Sequence, residues 1–274
     1  MTEEKMKHSE KPGRIAIVTG GSNGIGKATA KALSLKGYKV YEFSRRGTDY
    51  DDITHVTADV TDEKAVAAAV GEVLSREGRI DLLVNNAGFG ISGATEFTST
   101  EDAKRLFDAD FFGTFNVIRA VVPAMRKQGG GRIINLSSVA SLLSIPYQVF
   151  YSAAKASVNT LTLGLANELK PFGISVCAVM PGDVKTGFTA AREKTPTGDD
   201  VYGGRISRSV AVMEKDETNG MPPEFIAKRI VSIAGKKNVK PLYSAGFKYQ
   251  FFCVLARILP FRLSNSIVGS LYNK

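Results

Sequence analysis

Residues 15–26 read Ile-Ala-Ile-Val-Thr-Gly-Gly-Ser-Asn-Gly-Ile-Gly. Residues 15–19 are a short apolar run rich in β-branched side chains, the composition of a buried strand. Glycines follow at once. Residues 24–36 then place Ile25, Ala28, Ala32, Leu33 and Leu35 at helical spacing. Strand, glycine turn and helix follow without a linker. Glycine lets the backbone turn tightly and approach a ligand closely. The first turn of the helix offers free N–H groups and a positive dipole end to a phosphate. The glycines Gly20, Gly24 and Gly26 are spaced Gly-x3-Gly-x-Gly, unlike the Gly-x-Gly-x-x-Gly dinucleotide fingerprint. The pattern alone also fits an ordinary glycine-rich turn. Its place between a first strand and a first helix favours a dinucleotide phosphate site.

The same alternation continues outward. Residues 40–43, 55–58, 82–84, 132–136 and 174–180 read as strands, and 62–77, 101–127 and 150–170 as helices. Strands joined by crossovers of this length predict an α/β fold, a doubly wound parallel sheet covered on both faces. No internal repeat or linker interrupts it, so a single domain is expected over 14–246. Residues 1–13 are polar and expected to be disordered. Residues 187–224 are polar and rich in turn residues, a long loop after a strand C-terminus, where open α/β sheets bind ligands. They are expected to form a substrate lid.

Two further clusters carry chemistry. The second strand ends in Ser44-Arg45-Arg46. A dinucleotide site with a carboxylate there takes the free ribose 2′-OH of NAD, whereas a cation suits the 2′-phosphate of NADP. Glu42 lies two residues back inside the strand, so the reading favours NADP(H) over a merely solvated basic turn. Tyr151 and Lys155 are four residues apart at a helix start and share one helical face. A lysine cation beside a phenol stabilises the phenolate and suits it to acid–base work. Ser138 follows a buried strand ending in Asn135-Leu136-Ser137.

The set Thr19-Gly20-x3-Gly24-x-Gly26, Asp59-Val60, Asn85-Asn86-Ala87-Gly88, Ser138, Tyr151-x3-Lys155 and Pro181-Gly182-x-Val184-x-Thr186 closely resembles the short-chain dehydrogenase/reductase superfamily, in order over about two thirds of the chain. The resemblance implies a single Rossmann-type domain of about seven parallel strands. It implies that Tyr151 exchanges a proton with the substrate oxygen, that Lys155 tunes the tyrosine and holds the nicotinamide ribose, and that Ser138 hydrogen-bonds the substrate carbonyl. Gly20, Ser22, Asn23, Ile25 and Gly26 would line the pyrophosphate. Ser44 and Arg45 match positions that read a 2′-phosphate. Asp59 and Val60 would meet the adenine, Asn86 the adjacent ribose, and Val184 and Thr186 the nicotinamide end. One departure stands out: members with an Asn-x-x-Gly early in the central helix use that asparagine to hold a relay water, and here the segment reads Asp110-Phe111-Phe112-Gly113. Asp110 cannot donate an amide N–H, and its carboxylate near Lys155 is expected to raise the lysine pKa and retune the relay.

Composition narrows the function. Of 274 residues, 43% are hydrophobic and 23% charged, a globular balance. No apolar run reaches the roughly 18 residues of a membrane span, and the charged N-terminus lacks a secretory core. Two cysteines suit a reducing, cytoplasmic setting. The net charge of +9 is local: no Asp or Glu follows Glu224, while nine Lys and Arg do, and the other 27 cations match the 27 acids. That argues against general nucleic-acid binding. Residues 247–274 interleave Phe247, Phe251, Phe252, Val254, Leu255, Ile258, Leu259 and Phe261 with Lys248, Arg257 and Arg262. Such a basic apolar tail fits peripheral membrane contact, or a cover for the substrate cleft or a subunit interface.

The leading expectation is an NADP(H)-dependent oxidoreductase interconverting hydroxyl and carbonyl groups on a hydrophobic, steroid- or lipid-like small molecule. By resemblance, homodimers or homotetramers are expected. The alternatives are a 3-oxoacyl-thioester reductase and, in another class, a non-catalytic NADP-binding regulator. The intact Ser138, Tyr151 and Lys155 argue against the last.

Overall fold

Ile15 and Ile17 pack to one side of the first strand and Ala16 and Val18 to the other, and all four are buried. A strand buried on both faces belongs inside a parallel sheet. The computed structural model, which describes residues 13–273, shows that sheet. The elements are β1 (Arg14–Thr19), α1 (Gly24–Ser34), β2 (Tyr38–Ser44), β3 (Ile53–Thr57), α2 (Glu63–Glu77), β4 (Leu82–Asn85), β5 (Ile91–Ser92), α3 (Thr100–Phe107), α4 (Gly113–Lys127), β6 (Gly131–Leu136), α5 (Val149–Glu168), β7 (Ile174–Pro181), α6 (Phe188–Ala191), β8 (Glu193–Lys194), α7 (Arg205–Thr218), α8 (Pro223–Ala234), β9 (Leu242–Ala245), α9 (Phe247–Ile258) and α10 (Phe261–Tyr272).

Seven strands form one parallel sheet in the order β3-β2-β1-β4-β6-β7-β9. The chain winds outward from β1 to β3, then returns to β4 on the other side. The switch lies between β1 and β4, and beyond the strand C-termini there an open α/β sheet has its ligand crevice. On one face Val66, Val70 and Val73 of α2 and Val117, Val121 and Met125 of α4 meet Ile15 and Ile17. On the other, Ala30 and Leu33 of α1 and Ile226, Ile230 and Ile233 of α8 meet Ala16 and Val18. Asp62 caps α2 by accepting from the N–H groups of Lys64 and Ala65, and Gly78 ends it at φ +71°.

The structure differs from the sequence reading in four places. The helix expected over 101–127 is α3 and α4 joined by a π-helical turn at Asp108–Phe112, and Asp110 in that turn is buried. Wide turns of this kind occur where a helix must re-aim a side chain. Residues 187–224 are not one loop: they contain α6, β8 and α7, and β8 pairs with β5. The buried stripe of α7 is only Ile206, Ser209 and Met213, too thin against its charged surroundings to register as a helix. The last strand, β9, is a four-residue segment at the sheet edge, too short to read. The tail folds into α9 and α10. The expectation of disorder over 1–13 lies, except for Gly13, outside the described residues.

Candidate active site

The glycine turn is closed by sterics. A Cβ on Gly26 would lie 2.1 Å from the Gly20 carbonyl oxygen, and Gly20 and Gly24 hold φ +65° and +51°. Only glycine fits both demands. Asn86 ties the turn to β4: its Nδ2 donates to the carbonyls of Thr19 at 3.0 Å and Gly20 at 3.2 Å. Thr19 Oγ1 accepts from the N–H groups of Asn86 and Ala87. Asn23 stands at the N-cap of α1, and its side chain makes no capping hydrogen bond. The first-turn N–H groups therefore face the crevice without a side-chain acceptor, as an anion site requires. Ser22 is half-buried in the turn, and Ile25 anchors the helix start against the core.

The adenosine side lies at the ends of β2 and β3. Glu42 is fully buried and paired with His55, and it accepts from Ser44 Oγ at 3.2 Å. Ser44 Oγ also lies 3.0 Å from the Arg46 carbonyl oxygen. Arg45 and Arg46 are exposed. Asp59 folds back, accepting from Thr61 N–H and Oγ1 at 2.9 and 2.8 Å. Val60 is buried against Gly113, where a Cβ would come within 2.6 Å of it, and its carbonyl accepts from Asn116.

The polar cluster converges at the ends of β4 and β6. Ser138 lies beside Tyr151, where its hydroxyl favours the ionised phenol. The Lys155 ammonium lies 5.6 Å from the Tyr151 ring centre and 2.9 Å from Asp110 Oδ2, and donates to the Leu136 carbonyl at 3.3 Å. Asp110 Oδ1 accepts from Phe89 N–H at 2.9 Å. Ser138, Tyr151, Lys155 and Asp110, four candidates from three segments, thus form one cluster. Ser138 is fixed by its own N-cap bond, its Oγ accepting from Ala140 N–H.

The electrostatics differ from the sequence expectation in one respect. Lys155 pulls the Tyr151 phenol toward ionisation, but burial pushes it up and wins, with Asp110 adding to the rise. The lysine charge is shared with Asp110, which leaves less of it for the phenol. Burial also pushes the Asp110 carboxyl up, against Lys155. Burial pulls Lys155 down, but Asp110 and then Tyr151 outweigh it, so its pKa rises as expected from a carboxylate neighbour.

Val184 makes a bridge to Met221, and Thr186 reaches back to Gly24, whose Cβ would meet it at 3.3 Å. Thr186 therefore joins the β7 end to the glycine turn. Several contacts had no sequence signal. The Phe188 ring packs at 5.6 Å from that of Tyr151. Arg192, buried, pairs with Glu217 and so fastens α6 to α7; Thr189 donates to the same carboxylate. Tyr249 of α9 lies on Gly182 and donates to Asp183 at 2.5 Å. Asn85, Asn135 and Thr162 form a buried chain of hydrogen bonds beneath the site. Among the described residues no three His, Cys, Asp or Glu side chains converge to hold a metal ion.

This geometry has known counterparts. The short chain dehydrogenase family model matches residues 14–197. A 3-ketodihydrosphingosine reductase of Bacteroides thetaiotaomicron is 42% identical over 229 residues, which cover 82% of this chain and 85% of that protein. Two solved structures superpose on the chain and hold dinucleotides. ElxO with NADP bound gives a TM-score of 0.72 at 28% identity, covering 87% of this chain and 99% of that one. The 3-ketoacyl-(acyl-carrier-protein) reductase of Brucella melitensis, complexed with NADH, gives 0.71 at 26%, covering 85% and 96%.

Proposed function

This chain belongs to the short-chain dehydrogenase family, and from that premise we propose that it is an NADP(H)-dependent reductase of a ketone on a long-chain, lipid-like substrate. The observation that carries the reading is the convergence of Ser138, Tyr151 and Lys155 beside the glycine turn. A bound nicotinamide would supply or accept the hydride. Ser138 Oγ and the Tyr151 phenol hydrogen-bond the substrate oxygen, and Tyr151 gives it a proton as the carbonyl becomes a hydroxyl. Lys155 stabilises the phenolate left behind, while Asp110 holds the ammonium in place in the relay position. In the reverse direction the same phenolate takes the proton.

The turn fits a dinucleotide: its glycines leave a cradle that a Cβ would fill, and the α1 N–H groups have no side-chain cap. Gly20, Ser22, Asn23, Ile25 and Gly26 would hold the pyrophosphate, Asp59, Val60 and Asn86 the adenosine half, and Val184 and Thr186 the nicotinamide half. The NADP preference rests on Ser44 and Arg45. Glu42, the carboxylate that could compete, is engaged by His55 and Ser44. The lipid reading rests on the 42% identical sphingoid-base reductase and on the apolar tail beside the site. Self-association is assigned to the α4–α5 face, where Phe115 of α4 and Leu163 of α5 are exposed and a groove of about 530 Å³ runs along α5 from Ala156 to Glu168.

The deciding experiment follows NADPH absorbance with a 3-keto sphingoid base, an acetoacetyl thioester and a ketosteroid. Turnover of the long-chain ketone well above the other two supports the reading. Preference for the thioester moves the chain to the 3-oxoacyl class, to which the Brucella structure belongs. No turnover with any substrate, despite NADPH binding, leaves a regulator.

A further inference from the structure

α9 presents Phe247, Phe251, Val254 and Ile258 to solvent, at 89%, 58%, 53% and 72% exposure. At about 100° per residue these positions share an arc of about 60°, a stripe about 16 Å long. That spacing normally marks the buried face of a helix. The face of α9 that is buried is a different one: Cys253 lies inside, and Tyr249 packs on Gly182 and donates to Asp183. The helix therefore has an inner face committed to the site and an outer apolar face that meets no protein partner among the described residues. Lys248 and Arg257 stand on either side of the outer stripe, both exposed. Phe261, 89% exposed, and Arg262 continue the pattern into α10.

We propose that the outer face of α9, with Phe261, docks the protein on an anionic lipid bilayer. Two observations select a bilayer over a second copy of the chain. A two-fold contact sets the same patch against itself, which would bring the cations Lys248 and Arg257 of the two copies together, and no Asp or Glu follows Glu224 to neutralise them. An apolar stripe edged by cations instead matches an interface whose acyl chains take the rings and whose headgroups take the charges. No helix among the described residues is long and apolar enough to cross a membrane, so the contact is peripheral. The inference rests on the lipid-ketone reading for what docking accomplishes. A groove of about 400 Å³ lies between Leu142–Ser144, just past Ser138, and the start of α10, so a chain drawn from the bilayer has a short way to the site.

The test is co-sedimentation of the full chain with phosphatidylcholine vesicles, with and without phosphatidylglycerol. The triple variant Phe247→Ser, Phe251→Ser, Ile258→Ser is run beside it, and both chains are assayed with a short water-soluble ketone. Wild type is expected to pellet with the anionic vesicles and to be released by salt, since these contacts are screened over about 10 Å at 0.1 M. The triple variant is expected to lose about tenfold or more of that partition and to keep its soluble-ketone rate. Wild type in the supernatant of both vesicle types overturns the proposal. So does a triple variant that pellets like wild type, or one whose native mass falls in vesicle-free buffer, which would make the stripe a subunit contact. A wild type inactive on every ketone that still pellets with anionic vesicles removes the reaction and supports the dock.

Discussion

In the proposed reaction Tyr151 is the group that gives the substrate oxygen its proton. Tyr151→Phe keeps the ring against Phe188 and removes the hydroxyl, so kcat is expected to fall about 100-fold or more while NADPH fluorescence titration is unchanged. Asp110 offers a finer measurement. Its carboxylate raises the Tyr151 phenol and supports the Lys155 charge. Asp110→Asn removes that negative charge, so the phenol pKa falls. Reduction needs the protonated phenol, which exists below that pKa, so the alkaline limb of kcat/KM for ketone reduction should move to lower pH. Alcohol oxidation needs the phenolate and should begin at lower pH by the same shift. A pH profile of Asp110→Asn that overlays wild type would separate Asp110 from the phenol. At the far end of the crevice, Arg45→Asp would remove the charge-assisted contact proposed for a 2′-phosphate and add repulsion. NADPH affinity should drop about tenfold or more, with NADH affected less. A wild type that binds NADH more tightly than NADPH reverses the cofactor assignment.

At the level of elements, the glycine turn and α1 act as one unit. Gly26→Ala would drive a methyl into the Gly20 carbonyl and the Asn86 amide. The turn must open to admit it, so dinucleotide binding should be lost in titration. Overpacking of this kind destabilises by about 1–3 kcal/mol, a fall in melting temperature visible by calorimetry. The turn was legible in the sequence because its function demands residues of one kind in one order. The sheet was legible because strands buried on both faces are continuous apolar runs, as in residues 15–19 and 174–180. Elements whose burial is partial were harder to read. Helix α7 buries three side chains, and β9 is a short edge strand whose side chains are only partly covered. The π-turn at Asp108–Phe112 leaves no periodic signal, because one wide turn shifts the helical phase only once. In the site, the Tyr151–Lys155 pair is a local spacing and could be found. The Asp110–Lys155 contact spans 45 positions and follows from the fold, so the sequence suggested the pair only through resemblance. The Tyr249–Asp183 contact had no signal at all.

Across the whole molecule, residues 247–273 are held by specific contacts to the end of the sheet that carries the Tyr151 cluster. Tyr249 lies on Gly182, and Tyr147 donates from the segment before α5 to Asn273 at 2.8 Å. α10 packs on α7. The two main cores, by contrast, contain no residue of α9 or α10. Truncation after Gly246 should therefore leave a folded sheet, seen as a cooperative melt at lower temperature. Gly182, Asp183 and α7 would lose their cover, so the wall proposed to receive an apolar substrate would be open to water. The KM for a long-chain ketone is then expected to rise about tenfold, the scale of losing one or two buried apolar contacts. A small soluble ketone, which does not reach that wall, should keep its KM. The native mass per subunit count should stay as in wild type, because the exposed apolar groups of the α4–α5 face lie outside the deleted segment. An unchanged KM for the long-chain ketone would separate the tail from substrate binding. A fall to monomer mass would place the subunit contact on α9 and α10 and take it away from α4 and α5.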